Sequence, residues 1–117
     1  MAIHINIIGA GNMAYQLTQA FHNHPEVQLQ QLYNRSELSP EFNVFEIEKT
    51  HHLSTLRPAD VCIIAVKDEA ITEVSEKIPL ENQLVVHTSG NTSIEAIDSK
   101  NRRGVFYPLQ TMNKQTI

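Results

Sequence analysis

The sequence predicts an α/β domain with a doubly wound, mainly parallel sheet of about six strands and helices on both faces. Short β-branched runs alternate along the chain with stretches whose apolar residues recur at helical spacing. Val61–Val66 is apolar throughout, which is typical of a strand buried on both faces of a sheet. Because strand–helix alternation implies right-handed crossovers, we expect parallel strands.

The first two predicted strands enclose an amphipathic helix. Ile3–Ile8 is rich in isoleucine, and Val27–Tyr33 alternates apolar and polar residues, so each run predicts a strand. Pro25 lies just beyond the end of the helix between them, where helices commonly stop. The apolar face of that helix consists of Met13, Leu17, Ala20 and Phe21.

Residues 37–56 have the least regular pattern. Pro40 interrupts any helix that starts at Ser36, and Phe42–Ile47 alternates as a strand does. We therefore predict a shortened crossover and a third strand within residues 42–50.

The remaining chain predicts three more strands, at Val61–Val66, Leu84–His87 and Gly104–Tyr107. The helix after the first of these is expected to be capped by Asp68 and to end at Pro79. Its inward face would be Ile71, Val74 and Ile78. A capping box at Thr92-Ser93-Ile94-Glu95 predicts a short helix with Ile94 and Ile97 inward.

Composition bounds the class of protein. The chain has 117 residues, which predicts one domain over residues 1–117, and a formal net charge of −4. Since it has no Lys/Arg block, we expect neither a nucleic acid nor an anionic membrane as partner. No apolar run approaches membrane-spanning length, and no basic leader opens the chain. Cys62 is the single cysteine, which excludes an internal disulfide, is expected to be core, and fits a cytoplasmic location.

A glycine turn follows the first predicted strand. Gly9-Ala10-Gly11-Asn12-Met13-Ala14 has the form G-x-G-x-x-A. The first glycine permits a tight turn, the second lets the backbone approach a pyrophosphate, and the alanine meets the strand. Because the helix N-terminus would direct its N–H groups at the phosphates, we predict a Rossmann dinucleotide site with Gly9, Ala10, Gly11, Asn12 and Met13 at the pyrophosphate. The alternative is a glycine turn without a ligand.

The end of the second strand indicates which dinucleotide is bound. An NAD enzyme usually places Asp or Glu there, against the ribose 2′-hydroxyl, but this chain has Asn34-Arg35-Ser36. Guanidinium and hydroxyl donors suit a phosphate dianion, so these residues predict NADP(H) as cofactor. The alternative is a solvated turn arginine.

Three further strand ends carry polar residues that would line a ligand at the same edge of the sheet. Val66, Lys67 and Thr88 are predicted as additional cofactor contacts, whereas Asp68 is favoured as a cap over a ligand. His87 is the candidate catalytic residue because it can exchange a proton near neutral pH, although a structural role in its loop is equally open. No histidine has metal-ligand spacing, so no metal site is predicted.

These motifs together resemble a family of Rossmann-like proteins with a C-terminal domain of unknown function numbered 2520. The matching segments are Ile7–Ala14, Tyr33–Ser36, Ala59–Ile71, His87–Gly90 and Val105–Thr111. The chain is similar, more distantly, to pyrroline-5-carboxylate reductases and F420-dependent NADP reductases. One departure is Tyr107, which stands before Pro108 where many relatives have His.

The resemblance implies an NAD(P)-dependent oxidoreductase, homodimeric at full length, whose helical C-terminal domain closes the site. We accordingly expect 1–117 to be the cofactor-binding domain and to be inactive alone. The expected reaction is hydride transfer between NADPH and a small carbonyl, imino or hydroxy compound, with His87, Tyr107 and Pro108 on the substrate side. The alternative is a non-catalytic NADP(H)-binding sensor. A weaker one, S-adenosylmethionine binding, is disfavoured by Asn34 and Arg35.

Overall fold

The computed structural model describes residues 3–9, 11–35, 38 and 40–106. Within them, six parallel strands form one sheet in the order β3-β2-β1-β4-β5-β6. The strands are β1 Ile3–Ile8, β2 Val27–Tyr33, β3 Glu48–Thr50, β4 Val61–Ile64, β5 Leu84–His87 and β6 Arg102–Val105. The helices are α1 Asn12–His22 and α2 Ile71–Lys77, with 3₁₀ turns at Pro40–Val44, Leu53–Thr55, Asp68–Ala70 and Ile94–Ala96. The predicted fold class is confirmed.

The direction of winding reverses at β1. The chain proceeds from β1 outward through β2 to β3, then returns to the other side of β1 and continues through β4 and β5 to β6. A crevice forms outside the carboxyl ends of strands at such a switch point, and it is the usual ligand site of open α/β sheets. The topology therefore places the ends of β1, β2 and β4 around one edge.

Apolar residues pack against both faces of the sheet. One cluster joins Ile5 and Ile7 of β1 to Leu17 of α1. The other joins Ile8 of the same strand to Ile71 of α2. Because successive side chains of a strand point to opposite faces, one strand contributes to both clusters. Each helix is thereby attached to its own face of the sheet.

The segment after β2 differs from the predicted alternating strand. Pro40–Val44 is a 3₁₀ helix, and the third strand is confined to Glu48–Thr50, inside the predicted window of 42–50. Phe42 is fully buried and packs edge-on against Tyr15 at 5.4 Å between ring centroids. Phe45 is also buried. The spacing of these two phenylalanines is that of a helical turn, so aromatic packing outweighed the local alternation.

Two predicted helix starts are corrected. Asp68 opens a 3₁₀ turn, and the N-cap of α2 is Ala70, without a side-chain hydrogen bond. In the later turn the cap is Ser93, whose hydroxyl accepts a hydrogen bond from the Glu95 N–H at 3.0 Å. Ile97 is buried as predicted, but Ile94 is 42% exposed. A turn of this length has one apolar side to bury, and Ile97 occupies it.

Two strands have different bounds from those predicted. β4 ends at Ile64, two residues earlier than predicted, although the Ala65 N–H still donates to the Ile8 carbonyl of β1. β6 is Arg102–Val105, and the predicted end of this strand at Tyr107 lies outside the described residues. None of the helices in the described ranges is both long and apolar enough to cross a membrane.

Candidate functional site

A cleft of about 760 Å³ opens at the carboxyl edge of the sheet, beside the switch point. This volume lies within the range of about 300–1,000 Å³ that is usual for small-molecule sites. The predicted site residues that line it are Gly9, Gly11, Asn12, Met13, Asn34, Arg35, Val66, Lys67 and Thr88. Ala10 and Ser36 lie outside the described residues, as do Tyr107 and Pro108. Four predicted segments distant in sequence thus meet around one cleft.

Gly9 is required by the backbone of the protein itself. Its φ is +130°, a conformation that side chains rarely permit, and a Cβ there would lie 2.2 Å from the Ala65 carbonyl oxygen. The Gly9 N–H donates to the Tyr33 carbonyl at 2.8 Å, while the Ala65 N–H donates to the Ile8 carbonyl at 2.8 Å. This glycine therefore lets the ends of β1, β2 and β4 converge.

Gly11 differs, because nothing in the described protein requires a glycine there. It is the N-cap of α1 with φ −83°, and a Cβ would meet no atom within 4 Å. As a glycine, this N-cap residue has no side chain with which to cap the helix. Ala14, one turn further, is completely buried against the sheet. Gly11 thus leaves open space above an uncapped helix N-terminus, as an approaching phosphate needs.

Asn34 and Arg35 follow the end of β2 and line the cleft. The Asn34 N–H donates to the Thr50 carbonyl at 3.1 Å, and His51 Nδ1 lies 2.9 Å from the Asn34 carbonyl oxygen. These contacts attach the segment to β3. Arg35 follows as an exposed residue and forms none of the three ion pairs found within the described ranges. Its guanidinium is therefore available to an anion.

Gln31, on β2, holds the segment that carries Leu53 into the cleft. The fully buried side-chain amide donates to the Thr55 carbonyl at 3.0 Å and to the Glu48 carboxylate at 2.9 Å, and accepts from the Arg57 N–H at 2.8 Å. Glu48 also pairs with Arg57 at 2.8 Å. The pKa of Glu48 is lowered, mainly by the hydrogen bond from Arg57 and then by the one from Gln31. The result is a fixed wall beside Arg35.

One wall of the cleft, formed by α2 and the turn before it, was not predicted from the sequence. Glu69, Ala70, Glu73, Val74 and Lys77 all line the cleft. Positions 70, 73, 74 and 77 share one helical face, so the spacing was readable once the helix was placed. Only Val74 was assigned to a helix face in the prediction, the inward one with Ile71 and Ile78; it is half-buried and also lines the cleft. Three further residues were also missed, and they are Tyr33, Leu53 and Ala65.

His87 is buried and holds the loop that follows β5. Its Nδ1 accepts a hydrogen bond from the Ser89 N–H at 3.1 Å. Its Nε2 therefore carries the ring proton and donates to the Ser93 carbonyl at 3.1 Å. The side chain is fully buried and does not line the cleft, whereas the next residue, Thr88, does. This geometry favours the structural alternative for His87, as a positioning residue for Thr88.

Cys62 lies in the core, on the α2 face of the sheet. The thiol is buried, and desolvation raises its pKa to about 12. Because thiolate is the reactive form, this residue is chemically inert in the folded protein. Among the described residues, no group of three or more His, Cys, Asp or Glu side chains is placed to hold a metal ion.

The fold described above is shared with known proteins. Residues 4–91 match the family model described as NADP oxidoreductase, coenzyme F420-dependent. A protein of Bacteroides fragilis assigned as an NADP oxidoreductase is 33% identical with a TM-score of 0.78, and the alignment covers 97% of this chain and 46% of that one. The chain thus spans a little under half the length of that protein. No curated protein matches the chain in sequence.

Two more distant structures share the fold. A protein of Desulfitobacterium hafniense assigned as an NADPH-dependent oxidoreductase is 17% identical with a TM-score of 0.67, over 82% of this chain and 30% of that one. The dimeric ketopantoate reductase of Staphylococcus aureus is 22% identical with a TM-score of 0.50, over 86% and 41%. Because the family match extends over most of the sequence, this chain belongs to the NADP oxidoreductase, coenzyme F420-dependent family.

Proposed function

We propose that the cleft binds NADP(H). In this assignment Gly9, Ala10, Gly11, Asn12 and Met13 surround the pyrophosphate. Asn34, Arg35 and Ser36 receive the 2′-phosphate of the adenosine ribose. Val66, Lys67 and Thr88 complete the contacts along the carboxyl edge.

The observation that carries the proposal is the space at Gly11. The glycine is not explained by its φ or by any neighbouring atom of the described protein, yet it stands at the N-terminus of α1 on the same cleft as Arg35. A pyrophosphate that approaches this backbone accounts for the missing side chain. Arg35, at the other end, supplies a charge for the extra phosphate that distinguishes NADP from NAD.

When bound, NADPH supplies a hydride. The contribution of this chain is to bind and orient the NADPH. The N-terminus of α1 offers backbone N–H donors. Gly9 lets the ends of β1, β2 and β4 come close enough to form the base of the cleft. Arg35 and Leu53 confine the adenosine end, and His87 fixes the loop that presents Thr88. All of these are binding and positioning roles.

The activity of a longer protein containing this chain is also proposed. The similar Bacteroides fragilis protein is about twice as long as the matched region. We propose hydride transfer between NADPH and a small carbonyl, imino or hydroxy compound, with a second domain completing the site and a homodimer as the assembly. Residues 1–117 alone would then bind cofactor without turnover. Membership of the narrower family with C-terminal domain 2520 stays a prediction.

A thermal-shift comparison tests the cofactor assignment. A ligand that binds the folded state raises Tm according to its concentration and affinity. NADPH and NADP are expected to raise Tm at concentrations at which NADH and NAD have little effect. Absence of a shift with all four nucleotides would contradict the assignment. In the longer protein, NADPH binding without turnover on a panel of carbonyl and imino acids would favour a sensor instead.

A further inference from the structure

The wall of the cleft formed by α2 carries an ion pair that the proposed cofactor contacts do not include. Glu73 and Lys77 both line the cleft from α2, and Lys77 Nζ lies 3.0 Å from Glu73 Oε2. The two side chains are 67% and 63% exposed, so both can move. Arg35 lies close enough for its charge to act on the same carboxylate. Three charged groups that line the cleft therefore interact with one another.

We propose that Glu73 and Lys77 set the selectivity of the cleft for a phosphorylated ribose: Lys77 is a second cationic contact for the 2′-phosphate, and Glu73 holds Lys77 until the phosphate displaces its carboxylate. The inference rests on the proposed function, since it assigns a role at the same site. It concerns selectivity between two nucleotides that differ by one phosphate.

The carboxylate of Glu73 interacts with the same cations that a bound phosphate would contact. The hydrogen bond from Lys77 and its charge, followed by the charge of Arg35, lower the pKa of Glu73. The same two cations would therefore attract a 2′-phosphate, which carries more negative charge than a carboxylate and offers three acceptor oxygens. Glu73 competes with the ligand for both of them.

The pair is suited to exchange rather than to holding the fold together. An exposed ion pair at i,i+4 on a helix contributes little to stability, so breaking it costs little. Lysine carries its charge on a flexible stem and can turn from one acceptor to another. The carboxylate, once released, also repels a phosphate that remains nearby. Removing Glu73 should therefore strengthen binding of the phosphorylated nucleotide, and removing Lys77 should weaken it.

Calorimetry with three single variants tests this exchange. Glu73→Gln should bind NADPH about three- to tenfold more tightly than wild type, and Lys77→Met should bind it more weakly by a similar factor. Affinity for NADH should change less than about twofold in both. Glu76→Gln is the matched control, because this exposed residue lies on α2 but does not line the cleft. Unchanged Tm values would show that all variants fold.

The outcomes separate the two proposals. If wild type binds NADPH and neither variant alters its affinity, or if both variants change NADH as much as NADPH, the role of Glu73 and Lys77 is overturned and the cofactor assignment stands. Weaker NADPH binding by Glu73→Gln would also overturn it. If wild type does not bind NADPH, both proposals fail together.

Discussion

A Cβ on Gly9 would lie 2.2 Å from the carbonyl oxygen of Ala65, whereas a Cβ on Gly11, two residues later, would meet no atom of the described residues within 4 Å. The first glycine is therefore needed by the fold, whereas the second leaves open space that the proposed cofactor would fill. This contrast separates structural from binding roles within one turn. Alanine variants of the two glycines should therefore differ, since one should affect stability and the other NADPH binding.

Gly9→Ala should destabilise the protein severely. A side chain at φ +130° is strained, and its Cβ would collide with backbone that cannot rotate away. We expect a loss of at least about 2–3 kcal/mol in the free energy of unfolding, measured by urea denaturation. A stability equal to that of wild type would show that β1 and β4 do not meet as described.

Gly11→Ala should instead preserve the fold and impair binding. The conformation of this residue is open to alanine, so the free energy of unfolding should change by less than about 1 kcal/mol. NADPH affinity should fall at least about tenfold, because the new methyl group takes the space needed by the pyrophosphate. If the variant keeps full NADPH affinity in calorimetry, the space at Gly11 is not used by the pyrophosphate, and the cofactor assignment loses its main support.

Stability should depend on pH through Glu48. Its pKa is lowered in the folded protein from an ordinary value of 4.5, so its contribution is present above that value and is lost as the pH falls through the lowered one. Glu48→Gln should be less stable than wild type near neutral pH, and the difference should shrink in acid. Urea denaturation at about pH 7 and about pH 4 measures this. Glu46→Gln, at an exposed residue outside the described ion pairs, serves as the control.

The thiol of Cys62 should be inaccessible in the native protein. Burial and a pKa raised to about 12 leave almost no exposed thiolate. A disulfide reagent should therefore label the chain in denaturant and label it at least about a hundredfold more slowly without denaturant. Rapid labelling of the native protein would mean that the β4 core opens readily.

Local pattern was sufficient for much of the sheet. Ile3–Ile8, Val27–Tyr33 and Leu84–His87 were predicted with the bounds observed, because buried parallel strands leave continuous or alternating apolar runs. Phe42 was assigned to a strand because the residues around it alternate. Its contact with Tyr15, which favours the 3₁₀ turn instead, joins residues far apart in sequence. Tertiary packing of that kind is not visible in a local window.

The candidate site could be predicted where it follows a strand end and not where it lies on a helix face. The glycine turn and Arg35 are tied to β1 and β2, so their convergence followed from parallel topology. Glu73 and Lys77 were missed because the helix was read for its buried side. The hydrogen bonds of Gln31 to the segment carrying Leu53 depend on the final register of β2 and β3, which no local pattern specifies.

The central claim is that this cleft reads a 2′-phosphate with Arg35, and calorimetric titration of the 117-residue chain with NADPH and NADH tests it most directly. A charge-assisted contact of this kind predicts that wild type binds NADPH about 10- to 150-fold more tightly than NADH, and that Arg35→Met abolishes most of the difference. Equal affinity of wild type for the two nucleotides would contradict the account.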